Sequence, residues 1–253
     1  MTNPDRNVLR WVLACLCAGG FLLMLALVVT DHAGPFDDPI RNAFYALRRE
    51  GLTAIVLVVT NAANKYFIIA LCLILLILPQ TRIPFGVPLS AGALGTILLN
   101  TGIKHLVQRQ RPDDILHLAT EPGYSFASGH SVCSMFFYGM AIWLVWHYLC
   151  RPTPDGAPTL NNGSQRLASG TAPTDPDTAR HFLASRPLPP YSKRTAVILT
   201  VLLALPLFFV GPTRIYLGVH FPTDVLAGWC LAGFAIFIEA EILLAVERRR
   251  SRK

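Results

Sequence analysis

Apolar runs long enough to cross a bilayer recur along this chain, and no other feature restricts its fold as strongly. Crossing the hydrocarbon as a helix takes roughly 20 apolar residues. Six segments qualify, at about 11–30, 52–79, 84–106, 130–150, 195–211 and 223–246. Composition agrees: 53% of residues are hydrophobic, only 15% are charged, and the mean hydropathy is +0.45, which excludes an ordinary soluble domain. The expected fold is all-α: a polytopic membrane protein with six transmembrane helices and a short interfacial helix between spans 1 and 2. Residues 1–253 are read as a single membrane domain.

Details of the runs refine this. The first is too long for the apolar core of a cleaved signal peptide, and no small-residue cleavage site follows it. Residues 36–51 are short and amphipathic, with Ile40, Ala43, Phe44 and Leu47 on one stripe and Arg41, Asn42, Arg48 and Arg49 off it. Asp38 is the expected N-cap there, with Pro39 at the first helical position. The second run covers about 28 residues, roughly 42 Å if continuously helical. It contains Asn61, Asn64 and Lys65. Lys65 either snorkels to an interface or lines a substrate entrance with the asparagines. The third run is rich in small residues that permit close helix packing. Residues 151–194 have no helical or strand period and are read as a flexible loop. The six cysteines lie in or beside apolar runs without metal-ligand or disulfide spacing, so they are read as packing residues.

The formal net charge of +7 does not indicate nucleic acid. With six spans, the N-terminus, the turn at Gln80, the long loop and the C-terminal tail share one side. That side collects Arg6, Arg10, Arg82, Arg151, Arg166, Arg180, Arg186, Lys193, Arg194 and the five cations of the run Arg248-Arg249-Arg250-Ser251-Arg252-Lys253. Positive residues mark cytoplasmic flanks. Both termini and the loop are therefore expected in the cytoplasm of a cell-membrane protein, and the tail is expected to contact anionic lipid.

Three polar segments fall on the opposite side. The first holds Lys104, Arg109, Arg111 and Pro112. Lys104 and Arg111 are seven apart and so expected on one helix face, with Pro112 ending the helix. Arg109, His105, His117, Asp113, Asp114 and Glu121 are read as boundary or surface polar residues. The second runs from Tyr124 to His130. Ser128 is a natural N-cap, Gly129 permits close backbone approach, and a helix N-terminus attracts anions. The third runs from Thr213 to Asp224. Pro222 suits the first helical position, Asp224 the first turn, and His220 lies four residues before Asp224, within its reach. Arg214 adds a charge that can fork onto phosphate oxygens. Each segment has an ordinary structural reading as a capped or positively flanked helix end. Together they place three cations, two histidines, a carboxylate and a helix N-terminus on one membrane face, a combination suited to phosphate.

Lys-x6-Arg-Pro (Lys104, Arg111, Pro112), Ser-Gly-His (Ser128, Gly129, His130) and Arg-x5-His-x3-Asp (Arg214, His220, Asp224) resemble the tripartite signature of the type 2 phosphatidic acid phosphatase family, which also includes the vanadium haloperoxidases. Two positions depart from the usual pattern: Ala127 stands where proline is common, and Thr213 where serine is common. Neither change removes a charged or nucleophilic group.

The resemblance implies a metal-independent phosphatase with no cofactor, working through a phosphohistidine. His220 would attack phosphorus and Asp224 would hold its ring. His130 would protonate the leaving oxygen and then activate water, while Lys104, Arg111, Arg214, Ser128 and Gly129 would bind the phosphate oxygens. The substrate would be a lipid phosphate presented from the bilayer at the outer face: undecaprenyl diphosphate, phosphatidylglycerol phosphate, phosphatidic acid or a lipid A phosphate. A lipid phosphotransferase on the same site and a non-catalytic lipid-phosphate binder or transporter remain alternatives. A haloperoxidase is the remotest, since the resembling members are soluble.

Overall fold

The computed structural model describes residues 4–149 and 193–250. The loop expected over 151–194, apart from Lys193 and Arg194, lies outside the described residues, as does the end of the basic tail. The described residues form helices and connections without a strand. The helices are α1 (Pro4–Val29), α2 (Gly34–Ala46), α3 (Glu50–Asn61), α4 (Lys65–Ile77), α5 (Val87–Val107), α6 (Gly129–Leu144), α7 (Lys193–Tyr216) and α8 (Pro222–Arg250). Among them are five helices long and apolar enough to span, and six spans if α3 and α4 are counted as one broken crossing. The chain is an all-α polytopic membrane protein.

Helix α6 is the most enclosed span and α1 the least. The core forms where Phe136, Phe137, Met140 and Leu144 of α6 meet Leu89 and Ala93 of α5, Leu207 of α7, and Ala232 and Ile236 of α8. Outward residues such as Leu16, Val58, Ile77, Leu98 and Phe208 are exposed. Such a belt is costly in water and favourable against lipid tails. Helix α1 runs along α8, where Cys17 approaches Gly233 and Cys230 approaches Gly20.

Several element boundaries differ from the sequence expectation. The run over 52–79 is not one helix: it breaks at residues 62–64 and bends by 40°. Asn64 starts α4, its side chain accepting from the Tyr66 amide at 3.0 Å, and the Tyr138 hydroxyl donates to the Ala62 carbonyl at 2.7 Å. Polar partners from a neighbouring helix thus satisfy backbone freed at the break, as the membrane interior requires. Lys65 is exposed and lies 5.0 Å from the Tyr66 ring. The connection at Gln80 is itself helical, with Pro79–Thr81 and a wide turn over Arg82–Gly86 leading into α5. Helix α7 continues past residue 211, through Pro206 and Pro212, to Tyr216. Helix α2 begins at Gly34, with Pro35 in its first turn, so Asp38 is not its N-cap; it pairs with Arg41 at 3.0 Å.

Helix α5 ends at Val107, and Gln108 adopts the left-handed conformation, with φ 52°. Lys104 is therefore helical and Arg111 is not. The expectation that they share one helix face is overturned, because a left-handed C-cap turns the chain out of the helix before position 111.

Candidate active site

Four helix ends and one interfacial helix converge at one end of the bundle. These are the C-terminus of α5, the N-terminus of α6, the C-terminus of α7, the N-terminus of α8, and α2. The α7–α8 connection is tied down on both sides. Arg48 donates to the Tyr216 carbonyl at 2.9 and 2.8 Å, while the Leu118 amide donates to the Leu217 carbonyl at 2.9 Å. Gly218 has φ +80°, and a Cβ there would stand 2.4 Å from the Leu116 carbonyl oxygen. Glycine is needed at that position for conformation and for space.

His220 is 1% exposed. Its Nδ1 lies 3.4 Å from Asp224 Oδ2 and 3.3 Å from Ser125 Oγ; Ser125 Oγ in turn donates to Asp224 Oδ2. On the other side of the ring, Arg111 Nη1 lies 3.1 Å from Nε2. A guanidinium only donates, so Nε2 carries the lone pair and Nδ1 the proton. Burial pushes the His220 pKa well below its usual value. Asp224 opposes that shift and the Arg111 and Lys104 charges deepen it. The ring is thus neutral at neutral pH, with Nε2 as its nucleophilic atom.

Asp224 is fully buried in the first turn of α8. Its Oδ2 also accepts from the Phe221 amide at 2.9 Å, and its Oδ1 accepts from Arg109 Nη1 at 2.7 Å. Arg111 donates to the Gly123, Val219 and Pro122 carbonyls at 2.9, 2.7 and 3.2 Å. Lys104 Nζ donates to the Tyr124 carbonyl at 2.5 Å, and Arg111 Nη2 lies 3.4 Å from the same oxygen. The two cations therefore meet after all, through chain reversal and not through a shared helical face. Burial lowers the Arg111 pKa, against the pull of Glu121 and Asp224.

Ser128 is the N-cap of α6. It is buried, and its Oγ accepts from the Ser131 amide at 3.5 Å. The Ser128 amide donates to the Asp224 carbonyl at 3.0 Å, joining the start of α6 to the start of α8. First-turn N–H groups have no partner inside a helix, and Gly129, half-buried with no Cβ, leaves them accessible. His130 follows, its Nδ1 3.6 Å from Glu121 Oε1. Lys104 and Arg111 lie within electrostatic range of both His130 and His220.

Arg214, in the last turn of α7, is 2% exposed. Its Nη1 donates to Thr60 Oγ1 at 3.0 Å and its Nη2 pairs with Glu121; its Nε is buried without a partner among the described residues. A buried guanidinium requires such partners, since desolvation costs several kcal/mol per ion in a protein interior.

All eight residues expected at the site are brought to this end of the bundle. Sequence reasoning passed over Glu121, Arg109, Ser125, Thr60 and Asp37. Ser125 lies inside a motif already singled out, so its spacing to Ser128 offered a signal. Arg109 offered only its charge, and Thr60 and Asp37 offered no signal, because their partners lie 72 to 186 residues away.

Comparison with known proteins follows the same direction. The model of the PAP2 superfamily matches residues 85–247. The chain is 26% identical over 220 residues to phosphatidylglycerophosphatase B of Bacillus subtilis (strain 168), covering 86% of this chain and 88% of that one. Its fold is similar to the crystal structure of a transmembrane PAP2 type phosphatidylglycerolphosphate phosphatase from Bacillus subtilis. The TM-score is 0.68 at 22% identity, over 92% of this chain and 96% of that one. It is also similar to LpxE of Aquifex aeolicus, with TM-score 0.53 and 17% identity over 81% and 95% of the two chains.

Proposed function

Because this chain belongs to the PAP2 superfamily, we propose that it is an integral membrane phosphatase that hydrolyses a phosphate monoester or diphosphate of a lipid through a phosphohistidine on His220. The observation that carries this is the orientation of the ring. Nδ1–H faces Asp224 and Ser125, and the Nε2 lone pair faces Arg111. A nucleophilic nitrogen is thereby aimed at a guanidinium that would hold phosphate oxygens.

In the first step the Nε2–phosphorus bond forms and the bond to the leaving oxygen breaks, with His130 giving that oxygen a proton. The ring gains positive charge, which the Asp224 carboxylate offsets. In the second step His130 takes a proton from water, the water oxygen bonds phosphorus, and the N–P bond breaks. Lys104, Arg111 and Arg214 neutralise the equatorial oxygens, with the Arg214 Nε still available to donate. The Gly129 and Ser128 groups at the α6 N-terminus complete the cradle. These fixed cations supply the charge compensation that a divalent ion gives other phosphoryl-transfer sites, so the reaction is proposed to be metal-independent.

Glu121 already holds Arg214, so an arriving phosphate shares that guanidinium with it or displaces it. The sequence similarity to phosphatidylglycerophosphatase B supports a phospholipid-type substrate. The proposed setting is the cell membrane with the site at the outer face. Arg82, Lys193, Arg194 and Arg248–Arg250 flank the end opposite the site, and positive flanks mark the cytoplasmic side.

The test is phosphate release by detergent-purified protein from phosphatidylglycerol phosphate, phosphatidic acid and undecaprenyl diphosphate, with His220→Ala and His130→Ala as controls. Release that vanishes in His220→Ala, with acid-labile phosphate trapped on the parent protein, is the expected result. Full turnover by His220→Ala would reject the mechanism, and lipid binding without turnover by the parent would reject the enzyme.

A further inference from the structure

Behind the His220–Asp224 pair lies a second charged layer that the proposed reaction does not use. Asp37, on the interfacial helix α2, is only 1% exposed. Its Oδ2 accepts from Arg109 Nη2 at 2.7 Å and from Thr223 Oγ1 at 2.8 Å, and its Oδ1 accepts from the Thr223 amide at 2.8 Å. That amide belongs to the first turn of α8, so a side chain from α2 caps the helix that carries Asp224. Arg109 spans both carboxylates: Nη2 holds Asp37, while Nη1 donates to Asp224 Oδ1 and to Thr223 Oγ1, each at 2.7 Å. The guanidinium lies 4.0 Å from the centre of the Phe221 ring, which shields one face.

We propose that Asp37 and Arg109 are positioning residues of the reaction, locking the Asp224 carboxylate so that it can orient His220. Two physical effects carry this. Geometrically, Asp224 Oδ1 is anchored by Arg109, so the carboxylate cannot rotate Oδ2 away from His220, Ser125 and the Phe221 amide. Electrostatically, Asp37, Arg109, Asp224 and the phosphorylated ring alternate in sign. Asp37 balances Arg109, so Arg109 does not cancel the negative charge that Asp224 offers a developing cation. Helix α2 is on this account part of the catalytic assembly as well as an interfacial element. The inference rests on the reading of His220 as nucleophile.

Neither residue reaches the phosphate cradle, and that separates this role from binding. In full-length protein assayed with a short-chain phosphatidic acid, Asp37→Asn and Arg109→Gln are expected to lower kcat on the order of 10²-fold, the weight of a small misplacement of a reacting group. KM and the inhibition constant of inorganic phosphate should stay within about twofold, because ground-state binding is untouched. Arg109→Lys, which keeps charge but not the fork, should recover part of the rate. The double variant Asp37→Asn/Arg109→Gln should lose clearly less than the product of the two single losses, since Asp37 acts in large part through Arg109. If Asp37→Asn does not fold, Thr223→Val tests the same link and should lower kcat roughly tenfold with KM unchanged, the weight of one charge-assisted hydrogen bond.

Parent-level kcat in folded variants, equal losses in kcat and phosphate binding, or multiplying losses in the double variant would overturn the proposal. His220→Ala serves as the control. If it is inactive while Asp37→Asn and Arg109→Gln turn over normally, only this inference fails. If it remains active, the reading of the site fails first.

Discussion

Replacing Gly228 with alanine should slow the enzyme while leaving most of its stability, although residue 228 contacts no proposed reacting group. Gly228 is the point where α8 presses on the first turn of α6. A Cβ there would stand 3.0 Å from the Ser128 carbonyl oxygen, 3.0 Å from Ser131 Cβ and 3.3 Å from the Val132 amide nitrogen. Ordinary contact begins near 3.4 Å, so the gap must open by about 0.4 Å, the difference between 3.4 and 3.0. All three atoms lie on one helical turn, so the turn moves as a unit and carries Ser128, Gly129 and His130 away from Asp224 and His220. The Ser128 amide bond to the Asp224 carbonyl, now 3.0 Å, lengthens with it. If about 1 Å of misplacement costs roughly 10²-fold, about 0.4 Å costs on the order of sixfold in kcat/KM. Overpacking costs about 1–3 kcal/mol. Alanine regains about 1 kcal/mol of helix propensity over glycine. The net loss in stability should therefore be no more than about 2 kcal/mol. Phosphate release kinetics and thermal unfolding, measured on the same detergent preparation, separate the two. Parent kcat/KM in Gly228→Ala would refute the idea that this contact sets the spacing of the site. A rate loss explained wholly by the unfolded fraction would refute it equally.

Other predictions follow from single contacts. His220 is buried neutral, so the unfolded chain binds its proton more readily; stability should fall as pH drops below about 6.5, where the free imidazole titrates. Between about pH 7 and about pH 5 the parent should lose more thermal stability than His220→Gln, and equal losses would contradict the assignment. Thr60→Val removes the acceptor for Arg214 Nη1 and should destabilise the protein by about 1–3 kcal/mol, read by thermal unfolding. Phosphate release should survive EDTA, and loss of activity restored by a divalent ion would reject the metal-independent mechanism. A cysteine at Ile115, 95% exposed at the site end, should react with a membrane-impermeant maleimide in intact cells when the native cysteines are replaced. Protection until lysis would invert the proposed orientation.

Apolar runs of spanning length dictate an all-α membrane protein whatever their partners, because each helix satisfies its own backbone hydrogen bonds. Short-range chemistry was equally legible: Ser128 caps α6, Pro222 opens α8, and the four-residue step from His220 to Asp224 brings carboxylate and ring together. The break at residues 62–64 was not legible, because polar groups inside an apolar run declare a break only when a neighbour such as Tyr138 satisfies the freed carbonyl. The pairing of Lys104 with Arg111 was legible but its route was not, since it depends on one left-handed residue at Gln108. Least legible were Arg109 and Glu121, ordinary surface charges by sequence, and Asp37, which no sequence signal marked; all three are members of buried or half-buried ion pairs in the structure. Periodicity records which face of a helix is apolar. It carries no record of which distant charge a buried side chain will meet, since that partner is selected only when desolvation in the packed bundle makes an unpaired charge too costly to keep.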